Sequence, residues 1–278
     1  MPERSLAAPT VGEAVARASK RLAAAGCDAP RLDAELLLAR VLGHDSRTRL
    51  LLDADERLAV HARAPYEDLI KRRERREPVA YILGWKHFRR IALQVDARVL
   101  IPRPETETLV EAGVSLPRGW RVADAGSGSG AVALALKDER PDLAVTAIEC
   151  SRDALDLARS NRDRLGLDIA LAHADLLDDG HYDAVLANLP YVASDAPLAP
   201  EIALFEPPAA LYGGADGLAC IGRLAAQLSD RPEVRFVALE VGCDQAAAVA
   251  SLLHTAGFRA GETRRDLAGH ERVVVGKR

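Results

Sequence analysis

Three successive stretches near the start of the chain carry apolar residues at helical rather than alternating spacing. Thr10-Val-Gly-Glu13 has the form of a capping box ahead of AVARASKRLAAAG, with Gly26 as the stop. In RLDAELLLARVLG, Leu32, Leu36 and Val41 recur near helical spacing and Gly43 ends the run. A third helix is expected through APYEDLIKRRERRE, whose mixed charges suit a solvated face. No strand-like run interrupts residues 10–77, so residues 1–78 are expected to form a small helical domain. The pattern then changes. VAYILGWKHF and IALQVDARVLIP hold short β-rich segments, and residues 79–104 read as a β-hairpin linker.

From residue 105 to 278 strands and helices alternate. RVADAG, LAVTAIE, IALAHAD, YDAVLAN and VRFVALEVG are short apolar strands, with helices expected in AVALALKDE and SRDALDLARSNRDRLG. FRAGETRRD and ERVVVGKR close the pattern as two more strands. This rhythm predicts an α/β domain with a mostly parallel sheet and helices on both faces.

Composition narrows the function. The chain has 278 residues, 49% hydrophobic and 28% charged, with a formal net charge of −4. A protein that lives on nucleic acid usually carries a basic excess that displaces counterions, so no stable nucleic-acid binding is expected. MPERSLAAPT has no apolar signal core, and no window approaches the ~18 apolar residues of a membrane span. Cys27, Cys150, Cys220 and Cys243 are scattered, and the seven histidines show no metal spacing. A cytoplasmic, metal-free, monomeric protein with reduced thiols is expected.

Candidate chemistry begins at Asp124-Ala-Gly126-Ser127-Gly128-Ser129-Gly130, which follows a strand and opens a helix. Ligands of α/β sheets sit beyond the carboxyl ends of strands. With Ala131 the loop also satisfies a dinucleotide fingerprint, but a pyrophosphate would be repelled by Asp124, two residues before the first glycine. An ammonium or a sulfonium would be attracted there. Glu149 ends the next strand, where a carboxylate can take ribose hydroxyls, and Asp175 after the following strand can face an adenine amine. S-adenosylmethionine fits these three acidic positions.

The next strand ends in Ala187-Asn188-Leu189-Pro190-Tyr191-Val192. Pro190 biases Leu189 toward an extended backbone. The Asn188 side-chain oxygen and the Leu189 carbonyl can then accept both hydrogens of a flat NH2 group, on which Tyr191 can stack. Glu105 and Glu107 are read as helix caps rather than acid–base groups. Glu206 and the two prolines after it are read as a lid-like loop, and Gly213, Gly214 and Gly217 as turns.

The chain resembles the release-factor glutamine methyltransferases of the HemK type over nearly its full length. RRERREPVAYILGWKHF, VLIPRPETETLVE, DAGSGSGAVALAL, ANLPYV, FEPPAALYGGADGL, LEVGCDQ and DLAGHERVVVG carry the resemblance. It implies a Rossmann-like seven-stranded methyltransferase domain behind a helical domain that helps bind the release factor. It implies N5-methylation of the glutamine in the Gly-Gly-Gln loop of class I peptide chain release factors, with S-adenosylhomocysteine as product. Carried over, Gly126 through Gly130 hold the methionine moiety, Glu149 the ribose and Leu176 the adenine. Asn188, Leu189, Pro190 and Tyr191 hold the glutamine. Three positions depart from the family pattern: Glu149 stands where Asp is usual, Leu176 where an aromatic is frequent, and Leu189 where the motif has Pro. Asn-Leu-Pro-Tyr is also similar to the motif of ribosomal-RNA adenine dimethylases, so methylation of an adenine N6 in rRNA or DNA is the alternative.

Overall fold

The computed structural model describes residues 8–44 and 47–278. Most of the N-terminal decapeptide read above for a signal core lies outside them. The chain divides into two compact units, one made of residues up to 84 with 199–205, the other of residues 85–198 and 206–278.

The first unit is helical. It contains α1 (Val11–Ala24), α2 (Pro30–Leu42), α3 (Arg47–Leu52), α4 (Val60–Glu74) and α5 (Val79–Leu83). The capping box at α1 forms in both directions. The Glu13 N–H donates to Thr10 Oγ1 at 3.1 Å, and the Thr10 N–H donates to Glu13 Oε2 at 2.7 Å. The inward face of α2 is Ala34, Leu37 and Leu38, not the expected Leu32, Leu36 and Val41. The run LLL is apolar on every side, so periodicity alone could not tell which stripe would be covered. Residues 79–83, expected to begin a hairpin, are helical. The Pro78 carbonyl accepts from the Tyr81 and Ile82 N–H groups, and burial of both side chains outweighs their β propensity.

The short helix α9 (Pro200–Phe205) also belongs to this unit. Its Glu201 pairs with Arg73 at 3.0 Å and with Arg76 at 2.6 Å. Arg73, itself buried, also meets Asp33 at 2.8 Å. KRRERRE is therefore not wholly a solvated face: three of its arginines are tied to carboxylates, Arg72 to Glu77 at 2.5 Å besides Arg73 and Arg76.

The second unit opens with the hairpin β1 (Trp85–Phe88) and β2 (Ile91–Gln94), followed by α6 (Glu107–Val114). Then come β3 (Arg121–Ala125), α7 (Ala131–Glu139), β4 (Ala144–Glu149), α8 (Arg152–Leu165), β5 (Ala170–His173) and β6 (Ala184–Ala187). The remainder is α10 (Ala219–Ser229), β7 (Phe236–Glu240), α11 (Ala246–Thr255), β8 (Arg259–Arg265) and β9 (Glu271–Lys277). The strands make one seven-stranded sheet in the order β5-β4-β3-β6-β7-β9-β8. The first five run parallel, and β9 pairs antiparallel with both β7 and β8. The central strands are buried on both faces, which is why they read as unbroken apolar runs. This is the expected Rossmann-like α/β architecture. The strand order reverses between β3 and β6, and crevices for ligands open at such a point, beyond the carboxyl ends of the strands. No described helix is long and apolar enough to cross a membrane.

Candidate active site

A cavity of about 320 Å³ lies in the second unit, at the ends of β3, β4 and β6. Its walls include Asp124, Gly126, Ser127, Gly128, Ser129, Glu149, Asp175, Leu176, Asn188, Leu189 and Pro190. The structure thus brings together nearly all the residues expected to act. Gly130 is not in the wall; it precedes α7 and its N–H donates to the Ser127 carbonyl at 2.9 Å.

The glycine loop is held by its own strand ends. The Gly126 and Ser127 N–H groups donate to the Ile148 carbonyl at 2.9 and 3.0 Å. Asp124 is buried, and its Oδ2 accepts from the Ser127 hydroxyl at 2.8 Å and the Ala133 N–H at 3.0 Å. Burial pushes its carboxyl up to about 7, against these two bonds, and the nearby Glu149 adds to the rise. Glu149 takes the Gly128 N–H on Oε2 and the Ser151 N–H on Oε1, both at 2.8 Å. The Cys150 thiol also lies 3.4 Å from Oε1. Of a carboxylate's roughly four acceptor directions one, on Oε2, stays free among the described residues, and a ligand hydroxyl can displace the weak thiol donor from another. Asn161, buried on α8, donates to the Ser129 carbonyl at 3.0 Å and so ties the loop to β2 through Gln94. Nothing in the sequence singled it out.

Asp175 lines the cavity but is ion-paired with Arg223 of α10. An adenine amine would share that carboxylate with the guanidinium. Leu176 has φ of 72°, in the left-handed region, where an L side chain costs roughly 1–2 kcal/mol. Backbone strain of this kind gathers at ligand sites.

At the end of β6 the Asn188 Nδ2 donates to Thr106 Oγ1 at 3.1 Å. Among the described residues no donor meets the Asn188 Oδ1 or the Leu189 carbonyl. Tyr191 departs from expectation. It does not line the cavity; it is largely buried, and its hydroxyl donates to Glu240 Oε1 at 3.2 Å. Desolvation raises the Tyr191 hydroxyl well above its ordinary range.

The motif backbone is braced from behind. Gln245 Nε2 donates to the Tyr191 carbonyl at 3.0 Å, and the Val192 N–H to the Leu211 carbonyl at 3.0 Å. Gly213 and Gly217 serve more than turns. A Cβ at either would collide with the carbonyl oxygens of Pro190 or Tyr191, and Gly217 also has φ of 76°. Glu206 is buried and anchored rather than mobile in design: it accepts from the Ile101 N–H at 3.1 Å and pairs with Arg103. It joins the segment carrying Leu100 and Pro102 to the one carrying Pro207 and Ala210, all four in the cavity wall. Thr106, Arg98 and Arg223 were missed because their types carry no chemical signature at those positions.

The wall offers three carboxylates, Asp124, Glu149 and Asp175, a glycine loop and apolar surface from Val99, Leu100 and Leu176. This donor set fits a nucleoside joined to a cationic amino acid. Among the described residues no His/Cys/Asp/Glu cluster could hold a metal.

Two family models match the chain, the PrmC N-terminal domain over residues 13–84 and the Methyltransferase small domain over residues 105–203. A release factor glutamine methyltransferase of Burkholderia pseudomallei is 43% identical, covering 94% of this chain and 96% of its own. Another, of Caulobacter vibrioides, is 39% identical over 96% of both chains. Among solved structures, the catalytic domain of hMettl16 in complex with MAT2A 3'UTR hairpin 6 superposes with a TM-score of 0.58 at 16% identity. It covers 72% of this chain and 81% of that one, and the likeness is one of fold. On identity and coverage together, the chain belongs to the release factor glutamine methyltransferase family.

Proposed function

We propose that this protein transfers a methyl group from S-adenosylmethionine to the side-chain amide nitrogen (N5) of the glutamine in the Gly-Gly-Gln motif of class I peptide chain release factors. It acts in the cytoplasm as a monomer, and its helical unit contributes to release-factor binding. The observation that carries the reading is the pair of acceptors at the end of β6, Asn188 Oδ1 and the Leu189 carbonyl, beside a cavity walled by Asp124 and Glu149.

S-adenosylmethionine supplies an electrophilic methyl group. Asp124 favours the positive charge of the methionine portion, Glu149 takes ribose hydroxyls, and Asp175 with Leu176 borders the adenine. Asn188 and Leu189 accept the two N–H bonds of the glutamine amide and turn its nitrogen toward the methyl carbon. Such orientation is worth several kcal/mol, about 7 or more in the best cases. No strong base is needed before attack, because the proton is lost to solvent after transfer.

Tyr191 supports this clamp by holding the backbone through its buried hydroxyl rather than by stacking. The adenine-N6 reading shares the clamp chemistry, but the full-length relatives are glutamine methyltransferases. The test is incubation with labelled cofactor and either a class I release factor or small-subunit RNA, followed by peptide mass analysis. One methyl group on the Gly-Gly-Gln glutamine is expected. Label on RNA with an unmodified release factor would overturn the reading.

A further inference from the structure

Gln227, half-buried on α10, lays its side-chain amide across the turn that follows β5. The Leu177 N–H donates to Gln227 Oε1 at 3.1 Å, and Gln227 Nε2 donates to the Asp175 carbonyl at 3.3 Å. Among the described residues nothing else meets either backbone group. A carboxamide carries both a donor and an acceptor, so one orientation of it serves both partners. Neither a carboxylate nor an apolar side chain can do the same.

Leu176 lies between the two bonds. Its φ of 72° is left-handed, its side chain is buried, and it lines the cavity. An L residue holds that conformation only where its surroundings over-determine it. With φ relaxed to a negative value, the same side chain would leave the backbone in another direction.

The neighbouring chain is held separately. One turn earlier on α10, Arg223 pairs with the Asp175 carboxylate. One turn later, past the end of the helix, Arg231 donates to the carbonyls of Asp178 and Gly180. The Tyr182 hydroxyl and the Gly180 N–H both donate to Asp178 Oδ1, at 2.8 and 2.9 Å. The core face of α10 is formed by Ile221, Leu224, Ala225 and Leu228. Loss of Gln227 therefore loosens the backbone at residues 175–177 and leaves residues 178–182 and the core beneath α10 in place.

We propose that Gln227 is a positioning residue for the cofactor: its carboxamide clamps the backbone on both sides of Leu176, holds that residue left-handed, and so keeps its side chain in the wall against the adenine. This rests on the function proposed above, which puts the adenine at Asp175 and Leu176. The clamp serves affinity rather than the transfer step, because Asn188 stands at the end of another strand.

The test is calorimetry with S-adenosylhomocysteine and steady-state kinetics on a class I release factor. The full chain is compared with Gln227→Met, Leu176→Gly and the double variant. Methionine keeps the length of the side chain and removes both bonds. Gln227→Met should weaken S-adenosylhomocysteine about tenfold and raise KM for S-adenosylmethionine by the same factor. At saturating cofactor, kcat and KM for the release factor should stay within about twofold. Glycine takes a positive φ without steric cost and has no side chain to place. In the Leu176→Gly background, itself weaker for want of that wall, Gln227→Met should cost no more than about twofold further.

Unchanged affinity in Gln227→Met would overturn the clamp. So would a tenfold loss repeated in the glycine background, or a fall in kcat with no rise in the cofactor KM. If Gln227→Met does not fold, Gln227→Ser, too short to reach either backbone group, decides by the same comparison. Coupled losses of affinity in a chain that methylates no release factor would instead overturn the functional reading and leave the clamp standing.

Discussion

Gly126 and Leu189 fit against each other in the cavity wall: a Cβ on Gly126 would lie 2.8 Å from the Leu189 Cδ2. Gly126 also has φ of 71°. In Gly126→Ala, backbone strain of roughly 1–2 kcal/mol and overpacking of about 1–3 kcal/mol act together. Calorimetry should show S-adenosylhomocysteine affinity falling by about tenfold or more. Adding Leu189→Ala should recover the packing part and leave the backbone part. Strictly additive losses would mean that the two side chains do not compete for the same space.

Asn188→Ala should lower kcat by about 100-fold or more, the usual loss for one oriented polar group at a reacting centre. Cofactor affinity should stay within a few-fold. Leu189→Pro should keep or raise kcat, because the accepting carbonyl belongs to the backbone and proline fixes φ near −65°. Steady-state kinetics on a release factor decide both. A rate unchanged in the first variant, or collapsed in the second, would mean that the pocket is shaped for another substrate.

Asp124 gives a pH signature. Its carboxyl is raised to about 7 by burial, so folding favours the neutral form. The stabilisation is complete below the ordinary carboxylate range, near 4, and is lost as pH rises through 7. A cationic ligand prefers the anion, so binding should release a proton and tighten from pH 6 to 8. Calorimetry in buffers of different ionisation enthalpy measures that proton. Asp124→Asn should abolish both the proton release and the slope; a slope that persists would assign the effect elsewhere.

Arg73 sits buried between Asp33 and Glu201. Arg73→Met leaves the Asp33 carboxylate buried without its partner, which should cost about 3–5 kcal/mol. Adding Asp33→Leu should return most of it. Denaturant unfolding checks both, and a single variant as stable as the parent would show that the pair contributes nothing.

The sheet was legible because β3, β6 and β7 are covered on both faces and spell out as apolar runs. The glycine loop, Glu149 and Asn188 were legible because they combine rare residue types with strand ends. What escaped notice depended on contacts between distant parts of the chain. Periodicity named Leu32, Leu36 and Val41 as the inward stripe of α2, but only packing against neighbouring helices selects Ala34, Leu37 and Leu38. Tyr191 was read as a stacking ring because the sequence does not reveal that Glu240 captures its hydroxyl from within the sheet. The helix α11, rich in alanine, lacks the polar alternation that would mark it, whereas α10 carries an inward stripe of Ile221, Leu224, Ala225 and Leu228 at helical spacing. Gly213 and Gly217 looked like ordinary turns until the backbone of residues 190–191 was seen pressed against them.

Those two glycines have a further effect on how damage to this enzyme would present itself. A single added carbon at either position would push the proline–tyrosine peptide outward while the nucleotide cavity kept every one of its own side chains. Such a variant would still capture cofactor and melt with the usual ligand-induced shift, yet be silent toward its protein substrate. Screening by ligand affinity alone would pass it as healthy.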